Sequence, residues 1–145
     1  MIRFVGSGGK KGPKEKEKLK QWITKTIESH QQKAGGIVFV FCSDEQLLEI
    51  NQQFLNHNSL TDIITFDYSE GKQPRIVSGE IYISTERVSE NAKEYDSEYD
   101  TELRRVMIHG ILHLLGHNDK TKKQTDEMRK AEDECLAAWG KLKTK

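Results

Sequence analysis

Apolar residues recur along the chain at two spacings, which separate helices from strands. Between Lys14 and Gln32 they fall at helical spacing on an otherwise charged segment, which predicts a helix that ends at Gly35 and Gly36. The continuous run IVFVFC that follows has the length and the β-branched and aromatic character of a buried strand. A short first strand is predicted at residues 2–5.

The rest of the chain continues these patterns. Strands are predicted over TDIITFDY and SGEIYIS, and helices over 44–56, 86–95, 101–115 and from 122 or 124 to 139. Ser84 or Thr85 is expected to start the second of these helices, and Asp100 is the expected N-cap of the third. The inner face of the first is expected to carry five apolar residues: Leu47, Leu48, Ile50, Phe54 and Leu55.

The resulting order of elements is β-α-β-α-β-β-α-α-α. It predicts an α+β fold, with a small mixed four-stranded sheet and helices packed on it. At 145 residues the chain is long enough for a core, and we expect one domain over residues 1–145. A flexible loop is expected near 6–13 and a frayed C-terminus near 141–145.

The helix predicted over 101–115 carries the most distinctive residues of the chain. It is apolar over nearly its whole surface in its second half, so we expect it to be buried. His109 and His113 lie four residues apart in it and therefore project from one face, one turn apart. Two imidazoles in so apolar a helix need polar partners, and a metal ion would satisfy both together.

A third metal ligand is expected just beyond this helix. Gly116 allows the chain to leave the helix in a left-handed conformation and turn back, so that Asp119 can reach the two histidines. The pattern H-x-x-x-H-x-x-G-x-x-D has the ligand spacing of the metzincin scheme, with Asp as the third ligand. His117 is the alternative, but it would point elsewhere if Asp119 points in. Three protein ligands leave one position open for water or substrate.

Gly110 takes the place at which a zinc peptidase carries its glutamate base, which argues against peptide hydrolysis. A glycine inside a helix costs about 0.5–1 kcal/mol relative to alanine, so we expect a close neighbour to need the space. The remaining chemistry is a metal ion that lowers the pKa of a bound water or polarises a phosphoryl or carbonyl oxygen. The sequence identifies no catalytic base.

Composition narrows the class of protein further. Lys and Arg together number 23, as do Asp and Glu, so the net charge is zero and gives no support for a strongly nucleic-acid-binding protein; no DNA partner is expected. The chain has no apolar signal segment and no apolar run near 18 residues, and Cys42 and Cys135 form no CxxC pair. We therefore expect a cytoplasmic protein with reduced thiols and no membrane partner.

The stretch HGILHLLG, together with NQQFLNHNSLTDIITFDY and GEIYIS upstream, resembles the YbeY family of bacterial endoribonucleases over roughly residues 36–140. The family's signatures are H-G-x-L-H-L-x-G-Y-D-H, a T-D-V-L-S-F type segment and G-D-I-x-I-S. The resemblance implies a metal-dependent, single-strand-directed endoribonuclease that matures the 3′ end of 16S rRNA and takes part in ribosome quality control. It also implies one bound zinc ion on a zincin-like helix, rRNA and ribosomal components as partners, and a cytoplasmic location.

Two positions depart from the pattern of this family. His109 and His113 match its first two metal ligands, but the third, a histidine in the family, is Asp119 here, which lowers the net charge of the site. The arginine that often follows the aromatic residue of N-x-x-[YF]-R is replaced by Leu55. A cation for an RNA phosphate is therefore missing from this helix, and His57 or another basic residue is a candidate substitute.

Polar and aromatic residues of the two later strands have two interpretations each. Thr61 and Asp62 either cap the start of a strand or form a polar pair at the mouth of the cleft. Glu80 has the same alternatives and is expected on the Tyr82 side of its strand. Three aromatic residues either pack in the fold or stack on bases: Phe66, Tyr68 and Tyr82.

Two other functions remain compatible with the sequence. One is a ribosome assembly factor with a structural zinc and little nuclease activity, which the zero net charge and Leu55 favour. A closed four-ligand site that includes His117 would indicate it. The other is metal-dependent hydrolysis of a small substrate, which a pocket too narrow for a nucleotide chain would indicate.

Overall fold

The computed structural model describes residues 1–8, 12–55, 61–72 and 74–142. Their elements follow the predicted order β-α-β-α-β-β-α-α-α. The bounds are β1 (Ile2–Gly6), α1 (Lys16–Ser29), β2 (Lys33–Cys42), α2 (Asp44–Leu55), β3 (Ile63–Asp67), β4 (Ile76–Ser84), α3 (Thr85–Glu94), α4 (Tyr99–Leu114) and α5 (Lys122–Lys141).

The strands form one four-stranded sheet in the order β1-β2-β4-β3. Strand β2 runs parallel to both β1 and β4, whereas β3 pairs with β4 in the antiparallel direction. The continuous apolar run in β2 fits this position, because a strand inside the sheet has neighbours at both edges and packs on both faces. The predicted α+β fold with a small mixed sheet is confirmed.

The two faces of the sheet are covered unequally. One face packs against α1 and α4 and holds the main core, in which Phe39, Phe41 and Ile81 are fully buried. The other face holds a smaller cluster beneath α2, in which Leu47 packs against Ile64. Helix α4 is buried along most of its length, as its apolar surface predicts.

Helix α4 lies close to the sheet at Gly110. A Cβ atom added at this glycine would come within 2.9 Å of both Cδ1 of Ile63 and Cγ2 of Ile81. The expectation that a close neighbour needs the space is therefore confirmed. Position 110 faces the sheet, so a catalytic glutamate there would require α4 to move outward.

Three local predictions are wrong. Helix α1 ends at Ser29, and Gly35 lies instead inside β2, where an added Cβ would collide with the side chain of Ser78 on β4. Helix α4 begins at Tyr99, so Asp100 is not its N-cap. Asp100 lies in the first turn, where its negative charge interacts favourably with the helix dipole. Phe54 of α2 is 67% exposed and is not part of the buried core, although its ring meets that of Phe66.

The caps of the other helices follow the sequence more closely. The hydroxyl of Ser84 accepts a hydrogen bond from the backbone N–H of Arg87 at 3.2 Å, which confirms Ser84 as the N-cap of α3. Helix α5 begins with a reciprocal capping box, in which Thr121 and Gln124 bond each other's backbone. These caps fix the starts of two helices that border the site.

The two segments that were expected to be flexible are described only in part. Gly6 is the last residue of β1 and Lys141 the last of α5, while residues 9–11 and 143–145 lie outside the described ranges. A single domain over 1–145 stays a prediction. No helix within the described ranges is long and apolar enough to span a membrane.

Candidate metal centre

Two imidazole rings project from the same face of α4. Nε2 of His109 and Nε2 of His113 lie 3.0 Å apart, with ring centroids separated by 4.6 Å and ring planes at 77°. Both side chains are half-buried. The spacing of four residues in a helix produces this arrangement directly, because it stacks the two side chains one turn apart.

Asp119 reaches the same point after the chain reverses at Gly116. Gly116 has a φ of 104°, and the amides of Gly116 and His117 bond back to the carbonyls of His113 and Leu112 at 3.0 Å each. Such bonds close a helix that ends at a left-handed glycine. The predicted turn is confirmed, and it places Oδ2 of Asp119 3.4 Å from Nε2 of His109 and 3.5 Å from Nε2 of His113.

The three potential donor atoms are spaced as ligands of one metal ion would be. Their separations are 3.0, 3.4 and 3.5 Å. A tetrahedral zinc ion with bonds of about 2.0–2.1 Å to nitrogen and oxygen holds its ligand atoms about 3.3 Å apart. Within the described ranges, no other three acidic, histidine or cysteine side chains converge in this way. The residues present therefore fit a metal ion, and ligation stays a prediction.

A residue that the sequence analysis missed, Glu132 of α5, contacts the first histidine. Oε2 of Glu132 lies 2.6 Å from Nδ1 of His109, and Oε1 accepts a hydrogen bond from Nη1 of Arg105 at 2.9 Å. Glu132 is only 5% exposed. A signal for it exists in the sequence, because position 132 shares a helical face with the apolar residues Met128 and Trp139.

The two imidazoles have opposite pKa shifts. Burial alone would lower the pKa of His109, but the hydrogen bond to Glu132 and the negative charge of that carboxylate raise it above its ordinary value. Burial and the neighbouring charge of His109 hold the pKa of His113 below its ordinary value. His113 therefore favours the neutral form, which is the form that binds metals.

His117 points away from this centre. Its Nε2 lies 3.4 Å from Nε2 of His30, the C-cap residue of α1, and the two ring centroids are 5.6 Å apart. Nδ1 of His30 lies 2.9 Å from the carbonyl oxygen of Thr26. The placement agrees with the preference for Asp119 over His117 as the third ligand.

An open cleft with a volume of 280 Å³ borders His109 and Asp119. Asp62 lines it and accepts a hydrogen bond from Nδ2 of Asn91 at 3.3 Å, so this member of the expected polar pair lies in the cleft wall. Two cations, Arg105 and Arg129, also line it. Four carboxylates line the same cleft, those of Asp62, Glu102, Asp119 and Glu132, so the two guanidiniums lie among acidic groups beside the candidate metal centre.

Other candidate residues lie away from the cleft. The hydroxyl of Thr61 donates a local hydrogen bond to the carbonyl oxygen of Ile63 at 3.2 Å, which fits a strand-start role. Glu80 and Tyr82 face away from α4, and Oε1 of Glu80 accepts hydrogen bonds from Tyr68 and Tyr82 at 3.3 Å each. Glu80 therefore lies on the Tyr82 side as expected, but not at the candidate metal centre.

The aromatic residues pack against each other on the same face of the sheet. The rings of Phe66 and Tyr82 meet edge to face at 5.8 Å, and those of Phe54 and Phe66 at 6.1 Å. These contacts favour the packing interpretation for Phe66 and Tyr82, whereas Tyr68 is 56% exposed. The position of the side chain of Leu55 and the whole of His57 lie outside the described part of the chain.

Comparison with known proteins gives a consistent assignment. The family model described as Endoribonuclease YbeY matches residues 9–140. A relative from Christiangramia forsetii, named Endoribonuclease YbeY, is 49% identical over 118 residues, which cover 81% of this chain and 80% of the relative. One from Phocaeicola vulgatus with the same name is 42% identical over 137 residues, 94% of this chain and 97% of the relative.

A solved structure extends the similarity to the fold. The solution structure of TM1509 from Thermotoga maritima matches with a TM-score of 0.62 and 29% identity, covering 97% of this chain and 93% of that one. The match spans nearly the whole length of both chains, as the family model does here. The chain therefore belongs to the endoribonuclease YbeY family.

Proposed function

We propose that this protein is a metal-dependent endoribonuclease that acts on single-stranded rRNA, in 3′-end maturation of 16S rRNA and in ribosome quality control. Membership of the family supports RNA as the substrate and ribosomal components as partners. The observation that carries the proposal is the convergence of His109, His113 and Asp119 beside an open cleft. A cytoplasmic location follows from a role in rRNA processing.

We further propose that the ion is a single zinc. Two imidazoles and one carboxylate form a donor set that zinc accepts, and three protein ligands would leave a fourth position for water or substrate. When bound there, zinc supplies positive charge to a phosphodiester and lowers the pKa of a coordinated water. Asp119 contributes a negative charge to this set, which makes the site less electropositive than three histidines would.

The residues of the chain hold and orient the reacting groups. Helix α4 fixes His109 and His113 relative to each other. Close packing at Gly110 holds this helix against the sheet. Arg129 lines the cleft with its guanidinium 5.9 Å from the ring centroid of Tyr95. A guanidinium in this position can attract an RNA phosphate, which is the part of RNA that cationic side chains bind most strongly.

The contact between His117 and His30 favours a nuclease over an assembly factor with a structural zinc. A structural zinc site is normally closed by four protein ligands. His117 was the residue expected to close it, yet its Nε2 lies beside that of His30. The cleft is also open to solvent, which suits a polymer substrate better than a small molecule.

Metal analysis and RNA cleavage by two variants test the proposal together. Asp119→Ala should lose both the bound zinc and the cleavage of single-stranded RNA, because one of three protein ligands is gone. His117→Ala, a matched change two residues away, should retain both. If His117→Ala loses metal while Asp119→Ala keeps it, the ligand assignment is wrong.

Controls with the unaltered protein separate the proposed nuclease from its alternatives. Cleavage that persists after complete metal removal, in a preparation free of contaminating nuclease, would contradict the role of the metal. Tightly bound zinc without cleavage of any single-stranded RNA would favour the assembly factor. A 2′,3′-cyclic phosphate at the new RNA end would identify the 2′-hydroxyl as the nucleophile.

A further inference from the structure

The shortest contact at the metal centre comes from outside the metal-binding motif. It joins Nδ1 of His109 to Oε2 of Glu132 across 2.6 Å, between α4 and α5. The side chain of Glu132 is 6% exposed, so this contact is shielded from water. A buried carboxylate is costly unless hydrogen bonds compensate it, and here both of its oxygens have partners.

An arginine holds this carboxylate in place. Nη1 of Arg105 donates to Oε1 of Glu132 at 2.9 Å, and Nη2 donates to Oδ1 of Asp133 at 2.8 Å. The planar guanidinium thus bridges two neighbouring carboxylates of α5 from a position on α4, one turn before His109. Charge-assisted bonds of this kind fix geometry as well as adding energy.

We propose that Glu132 is a positioning residue that sets the tautomer and the ring orientation of His109 for metal binding. An ionised carboxylate can only accept hydrogen bonds, so the proton between the two groups belongs to Nδ1 of His109. Nε2 of the neutral ring then carries the lone pair, and this is the atom that faces His113 and Asp119. The inference rests on the metal site of the proposed function.

The arrangement disfavours the opposite tautomer. If Nδ1 had no proton, its lone pair would face the lone pairs of Glu132 at 2.6 Å, which is strongly unfavourable. Metal-binding histidines commonly donate their second ring N–H to a carboxylate, and loss of that partner typically weakens metal binding. Glu132 therefore acts on the metal through His109 and without contact to the substrate.

The first measurement is zinc affinity of the metal-free protein, obtained by competition with a chelator. Glu132→Gln should weaken zinc binding by about 10- to 100-fold, because an amide N–H can donate to Nδ1 and so favours the tautomer with the ring proton on Nε2, the atom that faces His113 and Asp119. Asp133→Asn is the matched control, since Asp133 contacts the same arginine and carries the same charge but does not touch His109. It should bind zinc within about twofold of the unaltered protein.

The second measurement needs no metal. In the ¹⁵N-labelled, metal-free protein, the proton on Nδ1 of His109 should give a slowly exchanging signal far downfield, as a short, buried N–H···O⁻ bond produces. The signal should be lost or strongly shifted in Glu132→Gln and unchanged in Asp133→Asn. Glu132→Asp, which keeps the charge on a shorter side chain, should bind zinc with an affinity between those of Glu132→Gln and the unaltered protein.

These readouts distinguish the inference from the proposed function. If the unaltered protein binds no zinc, the proposed metal site is wrong. If it binds zinc and Glu132→Gln binds equally well with an unchanged Nδ1 proton, the metal site stands and the role of Glu132 is overturned. Should Glu132→Gln fail to fold, the absence of the downfield Nδ1 proton from the unaltered protein would overturn that role equally.

Discussion

The protein contains two pairs of facing histidines that differ in their surroundings. In both pairs the ring planes meet at 77°, and the Nε2 atoms lie 3.0 Å apart in the His109–His113 pair and 3.4 Å apart in the His30–His117 pair. Only the first pair has a carboxylate within 3.5 Å of both Nε2 atoms, that of Asp119. Among the described residues no third ligand joins the second pair to form a metal-binding group.

The partners of the Nδ1 atoms differ as well. Nδ1 of His109 faces the carboxylate of Glu132, whereas Nδ1 of His30 faces the backbone carbonyl oxygen of Thr26. A backbone carbonyl carries no net charge, so it orients a ring without adding negative charge beside it. In both pairs two imidazoles thus lie close together. The carboxylates of Asp119 and Glu132 distinguish the candidate metal centre from the hydrogen-bonded contact between His30 and His117.

The largest expected difference between the pairs is in zinc binding. His113→Ala removes one of three protein ligands and should weaken zinc affinity by on the order of 100-fold or more, beyond the effect of losing an outer partner. His30→Ala removes a half-buried imidazole of the same size and should leave both the affinity and the stoichiometry of one zinc per chain unchanged. Titration of the metal-free proteins with zinc measures both quantities.

The same titration can contradict the comparison. Two zinc ions per chain in the unaltered protein, one of which disappears in His30→Ala, would mean that the second pair binds metal without a carboxylate. If His113→Ala and His30→Ala lowered the zinc affinity equally, the second pair would contribute to zinc binding as much as the first. Circular dichroism of both variants before titration provides the control for folding.

Sequence periodicity predicted the element order and the helix that carries His109 and His113, because both depend on local spacing. The apolar surface of α4 and the four-residue step between His109 and His113 are properties of one helix, and Gly116 follows directly. Asp119 could be predicted as the third ligand because it follows the turn at Gly116 by only three residues. The part of the candidate site that lies within eleven consecutive residues could therefore be predicted.

Contacts between distant segments could not be predicted in this way. Glu132 is 23 residues from His109, and only the packing of α5 on α4 brings them together. Gly35 looked like the end of a helix because its close approach to Ser78 depends on the pairing of β2 with β4. Phe54 followed the apolar pattern of α2, but the pattern does not show that this residue stays 67% exposed near the end of the helix.

The two histidine pairs also differ in how firmly they are held. His109 and His113 lie on one helix that packs closely on the sheet at Gly110, whereas His30 and His117 lie near the ends of two helices. Gly110→Ala should destabilise the fold by about 1–3 kcal/mol, since the new methyl group meets Ile63 and Ile81 at 2.9 Å. Gly140→Ala in α5 is the matched control, because nothing lies within 4 Å of its added Cβ. It should stabilise the protein by about 0.5–1 kcal/mol.

Denaturant unfolding measures both glycine variants. Gly110→Ala should also weaken zinc binding, because α4 carries both histidines of the metal pair and must shift to accommodate the methyl group. A Gly110→Ala variant as stable as Gly140→Ala would show that the space at position 110 is not limiting. The support that the sheet gives to the metal pair would then have to come from elsewhere on α4.

Substitution of Gly116 should have the smallest effect on stability, and it should affect both histidine pairs. The chain beyond it supplies His117 to one pair and Asp119 to the other, and its φ of 104° lies in the region that favours glycine. Gly116→Ala should cost about 1 kcal/mol from backbone strain alone, because no atom lies within 4 Å of the added Cβ. Gly116→Asn should cost less, since asparagine tolerates left-handed backbone better than alanine does. Zinc affinity should be lower in Gly116→Ala than in Gly116→Asn. Equal stability of the two variants would contradict a role for the left-handed turn in placing Asp119.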